Sequence, residues 1–386
     1  MARSLSGLWL RGLRSITKTR RAQTRLMKSL VPKVARSLPV RPVKVKSQSR
    51  RLKAKAPAAM PKTVKTIARA APLPGSWKLS YFSATSPAGA ASGKRMAYWL
   101  YLPSNASTVA APLPLVVMLH GCQQTAPDFA TATRMNQLAE RKGFAVLYPQ
   151  QSAASDAHRC WHWYQRATQK GHGDVQVIAH MITQVQQRYG LNASRTYAAG
   201  LSAGAALATI LALRHPELIA ALGVHSAPVF GMSDSAISAY RVMQRGAGSV
   251  YADVAGEAAS AIAKVLPPLG GMPALLIHGD RDAVVRRINA RQLGQQLQII
   301  NAAAVTRTEA RHQTYPARTG GRSPRHAYTT TTHYAGRKPQ LVQCDISALG
   351  HAWSGGDDSV SFSARAGPSA SLMMWAFFVR HSLKTG

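Results

Sequence analysis

A serine flanked by glycines stands near the middle of the 386-residue sequence, in the pentapeptide Gly200-Leu201-Ser202-Ala203-Gly204. The Gly-x-Ser-x-Gly pattern alone is common by chance. It indicates a nucleophile where a strand precedes the serine and a helix follows it, because the glycines then permit a tight turn that exposes the hydroxyl. An apolar strand is predicted over Arg195–Ala199 and a helix over Ala203–Arg214. The pattern therefore predicts that Ser202 is a nucleophile, with an ordinary glycine-rich turn as the alternative.

A nucleophilic serine needs a base to take its proton and an acid to orient that base. In folds with a strand–serine–helix turn, the acid and then the histidine follow the serine along the chain. Asp280 and Asp282 come directly after the apolar run Pro273–His278. We predict Asp282 as the acid and keep Asp280 as the second choice, whereas Asp253 and Glu257 fall in a segment with a helical pattern.

The predicted base is His351, which lies in a glycine-flanked loop after the last apolar run. A histidine placed there can reach back across the sheet to Ser202. His225 and His278 end apolar runs and can equally be structural histidines. The remaining candidates are His312, His326 and His333.

Hydrolysis through a tetrahedral intermediate also needs two backbone N–H groups that point at the developing negative charge. Ala203 is expected to supply one, because it follows the nucleophile. The loop after Leu115–Leu119 reads His120-Gly121-Cys122, and the Cys122 N–H is the predicted second donor. The alternative for this His-Gly pair is a plain strand-ending turn.

Elements that could position these residues alternate along the chain. Continuous apolar runs of the kind found in buried parallel strands are interleaved with segments of helical periodicity, which predicts an α/β fold with a mostly parallel sheet covered on both faces. One helix is predicted over Thr131–Lys142. The segment Thr306–Arg337 is predicted to form an excursion or hairpin near the substrate site. The strands are predicted at Tyr98–Pro103, Leu115–Leu119, Phe144–Pro149, Arg195–Ala199, Leu218–Val224, Pro273–His278 and Gln340–Ile346.

Basic residues dominate the composition, with 49 Lys and Arg against 14 Asp and Glu. Residues 1–70 hold 20 of these bases and no acid. This composition predicts a disordered basic tail over residues 1–70, followed by one domain over residues 71–386. The tail suggests binding to an anionic surface such as a polymer granule, a membrane or nucleic acid.

The sequence says less about the cellular compartment and the cofactor than about the candidate catalytic residues. The start of the chain lacks a clear secretion signal, which favours the cytoplasm, and no apolar run is long enough for a membrane span. Three cysteines are too few for a disulfide scaffold and lack zinc-site spacing. No metal or organic cofactor is expected.

From about Tyr98 to Val379 the sequence resembles esterases of the polyhydroxybutyrate depolymerase type, within the α/β hydrolases. The resemblance is carried by several motifs in order. His162 and Ser354 depart from it, since the family usually has Asn and often has Pro at these positions, which leaves the substrate open. The motifs are Leu119-His120-Gly121-Cys122, Met135-Asn136-Gln137-Leu138-Ala139, Gly143–Pro149, Cys160-Trp161-His162-Trp163, Gly200–Gly204, His278-Gly279-Asp280-Arg281-Asp282 and Gly350-His351-Ala352-Trp353.

The resemblance implies the triad Ser202, Asp282 and His351, in agreement with the placement argument. It also implies a disulfide between Cys122 and Cys160 beside the oxyanion loop, and it favours an extracellular enzyme. Trp161, Trp163 and Trp353 are expected to line the pocket in part, with a place in the core as the alternative.

Three functions follow as expectations. The first is hydrolysis of short-chain hydroxyalkanoate polyesters or oligomers, and the second is hydrolysis of acetyl or feruloyl esters on plant polysaccharide. The third is a surface- or nucleic-acid-binding protein that uses its basic tail on a hydrolase scaffold. No obligate protein partner is implied.

Overall fold

The computed structural model describes residues 73–85, 91–108, 110–248, 271–302, 309–321 and 324–383. The predicted basic tail, residues 1–70, lies outside the described residues, and so do Asp253 and Glu257. The boundary between tail and domain therefore stays a prediction.

Within the described residues, ten strands form one sheet in the spatial order β1-β2-β4-β3-β5-β6-β7-β10-β9-β8. Its six middle strands, from β4 to β10, are mutually parallel, and the two strands at each edge are antiparallel. The predicted mostly parallel sheet is confirmed. The strands are β1 (Ser76–Thr85), β2 (Ala91–Leu102), β3 (Leu115–Leu119), β4 (Ala145–Gln150), β5 (Thr196–Leu201), β6 (Ala221–His225), β7 (Ala274–Gly279), β8 (Arg311–Tyr315), β9 (Tyr328–Ala335) and β10 (Lys338–Ile346). Two short strands, β11 (Trp353–Ser354) and β12 (Ser363–Ala364), pair with each other.

The helices in the described residues are α1 (Ala126–Thr133), α2 (Met135–Lys142), α3 (Arg166–Gln169), α4 (Asp174–Tyr189), α5 (Ala203–Arg214), α6 (Ala236–Arg245), α7 (Ile288–Ile300) and α8 (Ala370–Phe378). Within this part of the chain, no helix is both long and apolar enough to cross a bilayer.

Two of these helices show that both faces of the sheet are covered. A Cβ placed on Gly200 of β5 would point at α5, 2.5 Å from the Gly204 carbonyl carbon. Gly200 pairs with Val224, so the next residue along, Gly223, faces the other way. A Cβ on Gly223 would lie 2.8 Å from the Met374 sulfur of α8. Helices α5 and α8 therefore pack on opposite faces.

The segment predicted as one helix over Thr131–Lys142 is two helices, and that prediction is wrong. The chain breaks at Arg134, whose φ of 52° is left-handed. There the Met135 amide donates to the Thr133 hydroxyl at 3.3 Å, in place of a backbone carbonyl of a continuous helix. No glycine or proline marks the break in the sequence.

The segment Thr306–Arg337 contains the predicted hairpin, formed by β8 and β9. Its predicted position near the substrate site stays a prediction. The start of β9 lies at the edge of the sheet where β10 ends, because Tyr328 pairs with Ile346 and the Ser347 amide donates to the Ala327 carbonyl at 2.8 Å. The hairpin widens the sheet at the edge because its threonines suit a half-buried pleated surface.

Candidate active site

Ser202 occupies a strained turn between β5 and α5. Its backbone has φ 56° and ψ −122°, a conformation that is uncommon for a residue with a side chain. The Ser202 N–H donates to the His225 carbonyl at 2.9 Å, which anchors the turn to the neighbouring strand β6. Such strain, held in place by its surroundings, is typical of functional turns.

At both glycines of the pentapeptide, a side chain would clash with the neighbouring backbone. A Cβ on Gly204 would lie 2.1 Å from the Leu119 carbonyl oxygen, far inside van der Waals contact. Together with Gly200, this lets α5 begin directly against the ends of β3 and β5. The sequence prediction of a strand–serine–helix turn is therefore confirmed, and the third residue of the turn is Ser202.

Asp282 and His351 form the central polar pair of the site. The His351 Nδ1 atom lies 2.7 Å from the Asp282 Oδ2 atom. The other carboxylate oxygen, Oδ1, accepts the Val284 and Val285 amides at 2.9 Å each. Asp280 has a different partner, because its carboxylate accepts the Ala348 amide at 2.7 Å. Of the two candidate acids, the structure brings only Asp282 to His351 within the described residues.

The charge state of Asp282 follows from these contacts. Burial alone would raise the pKa of the Asp282 carboxyl, but His351, with a smaller contribution from the Val285 amide, holds that pKa below its ordinary value. The side chain is therefore an anion at neutral pH. An anion accepts the His351 Nδ1–H and leaves the Nε2 lone pair of the imidazole available for a proton.

His225 connects this pair to Ser202. Its carbonyl holds the Ser202 amide, and its ring lies near His278 and His351, which assist burial in lowering the pKa of His225 to about 3. The neutral ring accepts the Ser354 amide through Nε2 at 3.2 Å and lies against the Trp353 indole at 5.2 Å. His225 therefore has a structural role, with hydrogen-bond partners in the core. Its place at the end of an apolar run had left this role open as one alternative.

His278 is also structural. Its Nε2 lies 2.9 Å from the Val285 carbonyl oxygen and 3.8 Å from Asp282 Oδ2. Burial lowers the pKa of His278, so the ring is neutral and its contact with Asp282 is not an ion pair. The hydrogen bond to Val285 instead ties down the loop whose amides hold Asp282.

The oxyanion loop, residues 120–124, lies beside the nucleophile. A Cβ on Gly121 would be 3.7 Å from the Ser202 Cβ. Within the loop, the Gly121 amide donates to the Gln124 side chain at 2.9 Å and the Gln123 amide donates to the His158 carbonyl at 2.6 Å. The Cys122 amide lies between these two engaged amides. Ala203, the first residue of α5, offers a second N–H of the kind that a helix leaves without an internal partner.

A disulfide closes this loop against the segment that follows β4. Cys122 and Cys160 are bridged, with a Cα–Cα distance of 4.3 Å. The disulfide predicted from the family resemblance is confirmed. Cys344, the third cysteine, is free and buried.

His120, the first residue of the oxyanion loop, has a structural role that the sequence patterns did not predict. Its Nδ1 lies 2.8 Å from the Gly121 carbonyl oxygen and its Nε2 accepts the Gln151 amide at 3.1 Å. Burial lowers the pKa of His120 to about 4, so the neutral ring can donate and accept in this way at neutral pH. The His120 ring therefore fixes the Gly121–Cys122 peptide plane, and with it the direction of the Cys122 N–H. The signal available in the sequence was the His-Gly pair at the strand end.

The three tryptophans occupy the interior. Trp161 and Trp353 are fully buried, so the prediction that they line the pocket is corrected. The Trp161 indole donates to the His120 carbonyl at 2.9 Å, and the Trp353 indole donates to Ser371 at 3.2 Å. They support the site from within the core. Trp163 is 5% exposed, and its role in the pocket stays a prediction.

The two departures from the family pattern have different surroundings. Ser354 is fully buried, and its hydroxyl donates to the Pro368 carbonyl at 2.5 Å, so it is a core residue next to His225. His162 keeps some exposure, and its Nε2 lies 3.6 Å from the Asp156 carboxylate. Of the two, only His162 is partly exposed to solvent.

Comparisons with known proteins show the family to which this chain belongs. Residues 96–317, more than half of the chain, match the family described as esterase PHB depolymerase. Poly(3-hydroxyalkanoate) depolymerase C of Paucimonas lemoignei is 32% identical over 141 residues, which are 36% of this chain and 34% of that protein. Acetylxylan esterase A of Talaromyces purpureogenus is 36% identical over 138 residues, which are 35% of this chain and 34% of that protein. The chain thus spans about a third of the length of these curated relatives.

Among solved structures, the acetyl xylan esterase from Aspergillus awamori is similar with a TM-score of 0.52 and 24% identity, covering 71% of this chain and 94% of that one. The parallel sheet and the serine turn define the fold as that of an α/β hydrolase. Within that class, the chain belongs to the esterase PHB depolymerase family. The family match ends before His351, so the place of His351 in the site rests on the structure.

Proposed function

We propose that this protein hydrolyses carboxylic esters through an acyl-enzyme formed on Ser202. The observation that carries the proposal is the hydrogen bond between His351 and Asp282, 2.7 Å long, at the same edge of the parallel sheet as a serine held on a strained strand–helix turn. A serine, a histidine in a fixed tautomer and a buried carboxylate are the parts that nucleophilic acyl transfer needs.

In the first half of the reaction, the Ser202 hydroxyl attacks the ester carbonyl while His351 Nε2 accepts the hydroxyl proton. Asp282 stabilises the imidazolium that forms. The Ala203 and Cys122 amides stabilise the tetrahedral oxyanion, a term worth about 3–4 kcal/mol per donor in serine hydrolases. The intermediate collapses as His351 returns the proton to the leaving alcohol.

In the second half, water attacks the acyl-enzyme with His351 again acting as the base. The carboxylic acid leaves and Ser202 is regenerated. No step requires a metal or an organic cofactor.

The proposed substrates are short-chain hydroxyalkanoate polyesters or their oligomers. The family description and the Paucimonas relative support this choice. Acetyl esters of xylan are the second candidate, favoured by the Talaromyces relative and the Aspergillus structure. Trp163 and His162, in the segment after Cys160, are the residues that we expect to contact the substrate.

The test is hydrolysis of 3-hydroxybutyrate oligomers and of acetylated xylan by the wild-type chain and by Ser202→Ala. We expect the oligomers to be hydrolysed faster at equal ester concentration, and both activities to vanish in the variant. Xylan deacetylation alone would move the protein to the second candidate. Unchanged hydrolysis by Ser202→Ala would overturn the enzyme assignment.

Export from the cell and binding of an anionic surface through residues 1–70 complete the proposal. The Cys122–Cys160 disulfide supports export, because such bridges persist in oxidising compartments. The density of bases in residues 1–70 supports surface binding. Deletion of residues 1–70 is expected to abolish salt-sensitive retention on polyester granules while hydrolysis of soluble esters stays unchanged. Retention that survives the deletion would rule out this role of the tail.

A further inference from the structure

An arginine-lined cavity of about 630 Å³ lies apart from the ester-hydrolysing site. Its walls come from α2 with the residues just before it, from the segment between β8 and β9, and from the segment between His351 and α8. Ser202, Asp282 and His351 are not among its lining residues. Its size is that of a small-molecule site.

The lining is strongly basic. Its five arginines are Arg134, Arg141, Arg318, Arg325 and Arg365, and Asp358 is the single acid of the lining. Arg134 is partly neutralised from outside the lining, because its guanidinium lies 3.4 Å from the Asp357 carboxylate. Within the described residues, Arg141 and Arg365 form no ion pair with a carboxylate. At Arg141 and Arg365 the cavity therefore carries positive charge that no carboxylate of the described residues pairs with.

Arg325 adds a second, independent observation. Its Nη2 donates to the Pro316 carbonyl at 2.9 Å, which holds the guanidinium in place. Its Nε atom is buried and has no hydrogen-bond acceptor among the described residues. The hydrogen bond to Pro316 therefore holds a positive charge in a fixed position at the cavity wall before any ligand binds.

We propose that this cavity binds a small anionic ligand that carries two or more phosphate or carboxylate groups. Guanidinium groups match both kinds of oxyanion with paired hydrogen bonds. Charges of one sign that cluster around a concave surface give an anion a stronger potential than an isolated surface arginine does. We expect two or more charged groups on the ligand, because the arginines line the cavity from three separate segments of the chain.

The test is isothermal titration of the full chain with tripolyphosphate and, separately, with tricarballylate. The cavity variant is Arg141→Gln with Arg365→Gln. The matched control is Arg241→Gln with Arg245→Gln, which removes the same charge from exposed positions on α6 that do not line the cavity. The basic tail is common to all three proteins, so the comparison isolates the cavity.

Beyond any weaker binding by the basic tail, we expect one saturable component that is roughly tenfold weaker in the cavity variant and unchanged in the control. Hydrolysis of a soluble ester is expected to be equal in all three proteins, which separates this site from the catalytic one. Binding of only one of the two probes supports the proposal and identifies the ligand chemistry. No saturable binding, or equal weakening in both variants, would overturn it.

Discussion

The Asp282 carboxylate and the His351 imidazole lie 2.7 Å apart, although 69 positions separate them in the chain. Their loops follow β7 and β10, which are neighbouring parallel strands that end at the same edge of the sheet. The pairing fixes the imidazole tautomer, because the Nδ1 proton is committed to the carboxylate. The Nε2 atom is then left with a lone pair, as the proposed role of His351 as the base for Ser202 requires.

Asp282→Asn is expected to lower kcat by roughly 10⁴-fold with little change in KM, because an amide can stabilise the wrong tautomer and not the imidazolium. Steady-state kinetics on a soluble ester measures this. Asp280→Asn is the matched control. Its side-chain oxygen can still accept the Ala348 amide, so we expect near wild-type kcat. If Asp280→Asn were as damaging as Asp282→Asn, the assignment of the acid would be wrong.

His120→Gln is expected to lower kcat by roughly tenfold while KM stays unchanged, because the loss affects an oxyanion donor that acts mainly in the transition state. The ring would no longer hold the Gly121 carbonyl, so the Cys122 N–H would lose its fixed direction. His158→Gln is the control, since His158 contacts the oxyanion loop through its backbone carbonyl. A rise in KM with constant kcat would contradict a role in orienting the oxyanion donor.

The thiols provide a test of the disulfide. Alkylation of the unfolded, unreduced chain is expected to modify Cys344 alone, and alkylation after reduction is expected to modify all three cysteines. In the native protein Cys344 should react slowly, because burial raises the pKa of its thiol and shields it. The bridge spans 38 residues, and its removal by Cys122→Ser with Cys160→Ser should cost about 4 kcal/mol in the free energy of unfolding. Three reactive thiols before reduction would exclude the bridge.

Buried histidines predict how the free energy of unfolding varies with pH. In the folded protein the pKa of His225 is about 3 and that of His120 is about 4, both below the ordinary value of 6.5. Between pH 6.5 and these lowered pKa values, the unfolded chain binds more protons than the folded protein does. The free energy of unfolding therefore falls as the pH is lowered from 6.5. The slope is up to about 1.4 kcal/mol per pH unit for each histidine.

Urea unfolding at a series of pH values measures this dependence. His225→Gln is expected to reduce the slope below pH 6.5 by about one proton, relative to wild type. His180→Gln, which removes an exposed imidazole on α4, is the control for loss of a histidine. An unchanged slope in His225→Gln would show that His225 is not held neutral.

The sequence was most informative where local pattern and tertiary role coincide. The run Leu115–Leu119 and the helix Ala203–Arg214 have the predicted bounds, because a fully buried strand is continuously apolar and a helix begun at a serine turn needs small residues. The order of Ser202, Asp282 and His351 was also readable, since parallel strands bring their following loops to one edge.

Other features depend on contacts that local pattern does not encode. The break at Arg134 uses the Thr133 hydroxyl rather than a glycine or proline, so no turn signal marks it. Trp161 and Trp353 were expected at the pocket, yet both indole N–H groups find acceptors inside the core. The network around His120 joins β3 to the residues after β4, and only the folded chain shows it.

Covalent labelling shows whether Ser202 is the nucleophile. The full chain is treated with a fluorophosphonate ester, and the adduct is located by intact mass and peptide mapping. We predict one adduct per chain, on Ser202, absent from Ser202→Ala and formed much more slowly by His351→Gln. An adduct at another residue, or equal labelling of Ser202→Ala, would show that Ser202 is not the nucleophile.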